Sequence, residues 1–129
     1  MAKILIVDDE RDVVALIRFL LEKDTHQVIE SYNGSDALEA LKGMPEKPDL
    51  IILDIMMPVM DGYTVNTKLQ DDRTTASIPV MVLTAKGQMK DLFQHAPNVA
   101  AYMEKPFDPK VLREKVRAIL GSGKQTGGT

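Results

Sequence analysis

The sequence predicts an α/β protein, a parallel sheet of five strands flanked on both faces by about five helices. Short apolar runs alternate with stretches of helical spacing, the pattern of βαβ units. Three of those runs, "KILIV" after its lysine, "LIIL" and "VMVL", are continuously apolar, as strands buried on both sides are. At 129 residues the chain has the size of one domain with one hydrophobic core.

The elements follow in order. Lys3–Val7 reads as the first strand, and the helix after it places Val13, Ile17, Leu20 and Leu21 on one face, with Arg11, Asp12, Arg18 and Glu22 elsewhere. Gln27–Tyr32 is a mixed run that suits a sheet edge. Ser35 reads as the N-cap of a helix to Lys42, with Ala37, Leu38 and Leu41 as its stripe. Leu50–Leu53 is the third strand, followed by a helix from about Tyr63 to Asp71, and Val80–Leu83 is the fourth. Gln88–Asn98 offers Met89, Leu92, Phe93 and Ala96 to a fourth helix that should end before Pro97. Ala101–Glu104 is the fifth strand. The last helix has Asp108 as N-cap, Pro109 at its first position, Leu112, Val116, Ile119 and Leu120 on one face, and Gly121 as its stop. The domain therefore spans residues 2–120, and residues 121–129, "GSGKQTGGT", read as a flexible tail or the start of a linker.

Bulk properties narrow the function. A net charge of −3 makes no electrostatic case for binding nucleic acid or an anionic membrane. With no cysteine there is neither a disulfide framework nor a thiolate metal site. The opening apolar run is too short for a signal peptide, and no run reaches the ~18 residues of a membrane span. A cytosolic protein without membrane insertion is expected.

Chemistry concentrates at the strand ends. Asp8 and Asp9 follow the first strand, Asp54 the third, Thr84 the fourth and Lys105 the fifth. Ligands of open parallel α/β sheets bind beyond the carboxyl ends of the strands. If the first and third strands are neighbours, roughly 4.8 Å apart, their carboxylates share one pocket. Three carboxylates there need a cation, and Mg²⁺ suits a site of few carboxylates and several waters. Lysine and threonine at the same edge are donors suited to phosphoryl oxygens. Such a site performs phosphoryl transfer by positioning and charge neutralisation. No Ser/His/Asp arrangement is visible, so the natural nucleophile is the Asp54 carboxylate, which would become an aspartyl phosphate. His26 and His95 have no partners at ligand spacing and read as surface residues.

Four motifs in order, "ILIVDDE" at 4–10, "DLIILDIMMPVMDG" at 49–62, "PVMVLTAK" at 79–86 and "YMEKPFDP" at 102–109, resemble the receiver domain of two-component response regulators. The resemblance covers essentially residues 2–120. It implies a flavodoxin-like, doubly wound sheet of order 2-1-3-4-5 with five helices. It also implies Asp54 as phosphoacceptor, Asp8, Asp9, Asp54 and the backbone carbonyl of Met56 around Mg²⁺, and Thr84 and Lys105 as ligands of the phosphoryl group. Tyr102 matches an aromatic that moves with Thr84 on activation, and Lys105–Pro106 matches a cis peptide. Pro58 would fix the loop behind Asp54, and Asp61-Gly62 a turn with the positive φ that glycine tolerates.

The implied function is a phosphorylation-activated switch, fed by a histidine kinase or a histidine phosphotransfer protein and read by a downstream protein. Such a chain is not an enzyme on other substrates. One departure stands out: Pro97-Asn98 replaces the usual glycine closing the fourth helix, and Asn98 is expected to take over as a left-handed cap. Two rival readings remain. One is a receiver module of a longer regulator with an output domain, although nothing here reads as a recognition helix. The other is a haloacid dehalogenase-like phosphohydrolase, disfavoured because Met56 stands where its second Asp would, and because the chain has no room for a substrate cap.

Overall fold

The computed structural model describes residues 2–58, 60–85 and 96–128. In chain order these form β1 (Lys3–Val7), α1 (Arg11–Lys23), β2 (Gln27–Ser31), α2 (Gly34–Lys42), β3 (Leu50–Asp54), α3 (Gly62–Asp71), β4 (Val80–Ala85), β5 (Val99–Lys105) and α4 (Pro109–Gly128). The five strands pair in parallel in the order β2-β1-β3-β4-β5, the doubly wound arrangement that the sequence implied. Four helices lie among the described residues. The helix expected over Gln88–Asn98 falls largely outside them, and its described end, Ala96–Asn98, is a turn.

Alternation along the central strands divides the core in two. Ile4, Ile6, Leu50, Ile52, Met81 and Leu83 pack with Val14, Ile17 and Leu21 of α1 and Leu112 and Val116 of α4. Their neighbours Leu5, Val7, Ile51, Leu53, Val80 and Val82 pack on the other face with Ala37 and Leu41 of α2 and Val65 and Leu69 of α3. All twelve strand residues are essentially buried, which is why these strands carry no polar alternation. Edge strand β2 keeps the mixed burial that its sequence indicated.

Several local expectations need correction. The cap of α2 is Asn33, whose side chain accepts the Asp36 N–H at 2.8 Å, and Ser35 lies inside the helix. Both residue types can cap; the helix simply begins two residues earlier. At the start of α3, Asp61 caps by accepting the Thr64 N–H at 2.7 Å, but Gly62 is not in the left-handed region. Its need for glycine is steric: a Cβ there would fall onto the Asp54 carbonyl oxygen and 2.7 Å from Ile55 Cα. Asn98 is not left-handed either, because the one non-glycine with positive φ among the described residues is Thr25, at 67°. The backbone of α4 stays helical to Gly128, past the stop expected at Gly121. Interior glycine costs a helix about 1 kcal/mol and does not forbid it.

Candidate functional site

The register of the sheet builds the site. Val7 pairs with Leu53, so one residue further along both strands Asp8 stands beside Asp54. Both side chains turn to the face opposite Val7 and Leu53. On β5, Lys105 follows two residues after Met103, which belongs to the α1/α4 core, so it projects to the same side. Asp8 is 0% exposed and Asp54 2%, whereas Asp9 is exposed. One carboxylate oxygen from each of the three lies within 4.8 Å of the others.

Lys105 joins the acids. Its Nζ forms an ion pair at 2.8 Å with Asp8 Oδ2 and lies 3.4 Å from Asp54 Oδ1. It donates to Glu10 Oε1 at 2.9 Å. The other oxygen of Asp8, Oδ1, accepts the backbone N–H of Glu10 at 2.9 Å. The acid pocket and the lysine were legible from the strand ends; the Glu10 partnership was not. A signal did exist, because Glu10 is the N-cap residue of α1 and makes no capping hydrogen bond. Glutamate is not among the preferred caps, so its side chain was available for other use.

The electrostatics follow from burial. Asp54 is pushed up to about 7, first by burial and then by the neighbouring charge of Asp8, against the pull of Lys105 and the Met56 N–H. Asp8 is also raised, chiefly by burial, with Lys105 and the Glu10 N–H opposing. Burial works against the Lys105 ammonium, but Asp8, Glu10 and Asp54 overcome it and hold that group above its ordinary value. One cation thus faces more carboxylate charge than it can balance. Hard oxygen donors from three carboxylates, two of them buried, fit a divalent cation such as Mg²⁺.

The remaining candidates stand around this pocket. Thr84, at the end of β4 and one residue beyond the partner of Asp54, is fully buried, and its Oγ1 has no hydrogen-bond partner. A buried hydroxyl without a partner costs about 1–3 kcal/mol. Met56 lies in the loop after β3, 57% exposed, and its N–H pulls the Asp54 carboxyl down. Tyr102 is half-buried on β5 beside Val82 and packs on the α2/α3 side of the sheet. The Lys105–Pro106 peptide is cis. His26 is half-buried rather than on the surface, its Nδ1 accepting the Ala2 N–H at 3.1 Å; His95 lies outside the described residues.

Comparison with known proteins agrees with this geometry. A family model described as the response regulator receiver domain matches residues 4–117. The chain is 36% identical to Protein PilH of Pseudomonas aeruginosa, over 93% of this chain and 98% of that protein. It is 40% identical to the alkaline phosphatase synthesis transcriptional regulatory protein PhoP of Bacillus subtilis, over 92% of this chain but 48% of that one. The chain thus spans about half the length of several relatives that it matches. Among solved structures, the N-terminal domain of a response regulator receiver protein from Methanoculleus marisnigri superposes with a TM-score of 0.75 at 34% identity, covering 93% of this chain and 97% of that one.

Proposed function

The chain belongs to the response regulator receiver domain family, and from that premise we propose that it accepts a phosphoryl group on Asp54 from the histidine of a kinase or phosphotransfer protein. The observation that carries the reading is the placement of Asp54: a carboxylate 2% exposed, with two further carboxylates and one ammonium beside it. Asp8, Asp9, Asp54 and the Met56 carbonyl would hold Mg²⁺. When bound, Mg²⁺ would favour the ionised form of Asp54 and offset the charge of the phosphoryl oxygens.

The residues of the chain do the rest. A carboxylate oxygen of Asp54 attacks phosphorus as the bond from phosphorus to the donor nitrogen breaks, and the imidazole leaves with the bonding pair. Lys105 turns from the carboxylates to the new oxygens, and Thr84 Oγ1 donates the hydrogen bond that it otherwise lacks. Movement of Thr84 changes the packing beside Tyr102 and biases a two-state equilibrium toward a surface read by another protein. Water attack on the acyl phosphate ends the signal. The chain promotes only its own phosphorylation and dephosphorylation. Whether the reader is a separate protein or a fused output domain is set by what adjoins residue 129, and the relatives include both lengths.

The test is incubation with acetyl phosphate and Mg²⁺, followed by intact-mass measurement. One phosphate should be added to the native chain and none to Asp54→Asn. An Asp54→Asn chain that gains phosphate at the native rate would remove Asp54 from the role.

A further inference from the structure

We infer that Glu10 is a positioning residue that holds Lys105 off the phosphoryl position until a phosphoryl group arrives. The inference rests on the phosphoacceptor reading and deepens it. The Lys105 ammonium has three carboxylates in reach: Asp8 Oδ2 at 2.8 Å, Glu10 Oε1 at 2.9 Å, to which it donates a hydrogen bond, and Asp54 Oδ1 at 3.4 Å. Glu10 is 95 residues away in sequence and 61% exposed on its side chain, outside the buried pair. It therefore draws the cation outward, away from Asp54. Glu10 has no competing task, since its side chain makes no cap bond to α1, while its backbone N–H anchors Asp8 Oδ1. The side chain can be changed without altering that anchor.

Two consequences follow with opposite signs. While Glu10 engages Lys105, less of the ammonium's charge falls on Asp8 and Asp54, so those carboxylates are freer for a divalent cation. A phosphoryl group on Asp54, however, must take Lys105 away from Glu10 before it can be bound. Removing the clamp should weaken Mg²⁺ binding and strengthen binding of a phosphoryl mimic.

The experiment measures both affinities by calorimetry on the full chain: Mg²⁺ alone, then beryllofluoride at saturating Mg²⁺. The variants are Glu10→Gln, which keeps the shape and loses the charge, and Glu10→Asp, which keeps the charge and loses the reach. A partly exposed pair contributes on the order of 0.5–1 kcal/mol, so each affinity should change about two- to five-fold. Both variants should bind Mg²⁺ more weakly and beryllofluoride more tightly. If Glu10→Asp binds both as the native chain does, Glu10 acts only as a local charge and the clamp is overturned. It is overturned equally if both affinities move in one direction. If the native chain binds beryllofluoride no better than Asp54→Asn, the phosphoacceptor reading itself fails and the clamp goes with it.

Discussion

Replacing Gly62 with alanine tests how Asp54 is held in place. Gly62 begins α3, and its N–H donates to the Ile55 carbonyl at 2.8 Å. A Cβ on it would meet the Asp54 carbonyl oxygen, with Ile55 Cα at 2.7 Å and the Asp54 carbonyl carbon at 2.9 Å. Every one of these atoms is backbone of the strand end that carries Asp54, so no rotamer change relieves the clash. Overpacking of this kind costs about 1–3 kcal/mol, and a weakened Gly62–Ile55 bond adds about 1 kcal/mol. Alanine's helix propensity returns about 1 kcal/mol at most. The net loss is about 1–3 kcal/mol, read as a lower urea midpoint at unchanged slope. The strand end must also shift, so phosphorylation of the folded variant by acetyl phosphate should slow. Gly62→Asn separates the steric account from one based on backbone conformation. Asparagine tolerates positive φ, so a conformational need would make it milder than alanine, whereas the clash makes it at least as harmful. An alanine variant as stable as the native chain, or an asparagine variant clearly better than alanine, would refute the close-approach argument.

Three further outcomes are expected. Thr25 occupies the left-handed position after α1, at φ 67°, where the Thr25 N–H bonds to Glu22 and the His26 N–H to Leu21. Glycine is the usual residue there, so Thr25→Gly should stabilise by about 1 kcal/mol in thermal or urea unfolding. Asn66 and Asn98, both buried, exchange side-chain hydrogen bonds of 2.7 and 3.3 Å. Either alanine variant should cost about 1–3 kcal/mol by orphaning the other amide, and the double variant should cost clearly less than the sum. Arg113 hydrogen-bonds Asp24, with Nε to Oδ2 at 3.0 Å, and holds the Asp24 carboxyl below its ordinary value. Its contribution is therefore present above the unfolded aspartate value of about 3.9 and is lost as pH falls toward the folded one. The stability gap between the native chain and Asp24→Asn should be level from neutral pH to about pH 5 and close below about pH 4.

What could be read in the sequence was whatever leaves a local signal. The central strands announce themselves because burial on both faces permits only apolar residues, and β1 was legible to the residue. The acids were legible because each follows such a run directly, and the lysine because it ends the fifth strand. The contacts that escaped notice join residues far apart. Glu10 meets Lys105 across 95 positions and Asn66 meets Asn98 across 32, and neither pair has a periodicity to betray it. Gly62 was legible as a glycine that matters, but for the wrong reason, since close backbone approach and positive φ select the same residue. Asn33 and Ser35 are both good caps two residues apart, so local pattern did not separate them; Asn33 is the one that accepts the Asp36 N–H.

The geometry also divides the labour at the strand ends. On the side of the nucleophile, everything is held. Asp8 and Asp54 are buried, each accepts a backbone N–H, and Gly62 closes behind Asp54 without space for one more carbon. On the side of the cation, adjustment is cheap. The Lys105 side chain retains 16% exposure on a four-carbon stem, and of its two near partners Glu10 faces solvent while Asp8 is buried. The exposed Lys105–Glu10 pair exchanges for less than about 1 kcal/mol, whereas moving a buried strand end costs several times that. Phosphorylation should therefore leave Asp54 where it is and move Lys105 and the Thr84 hydroxyl toward it. A carboxylate fixed in advance keeps the attacking oxygen oriented for transfer, and a movable cation lets the charge added there be sensed.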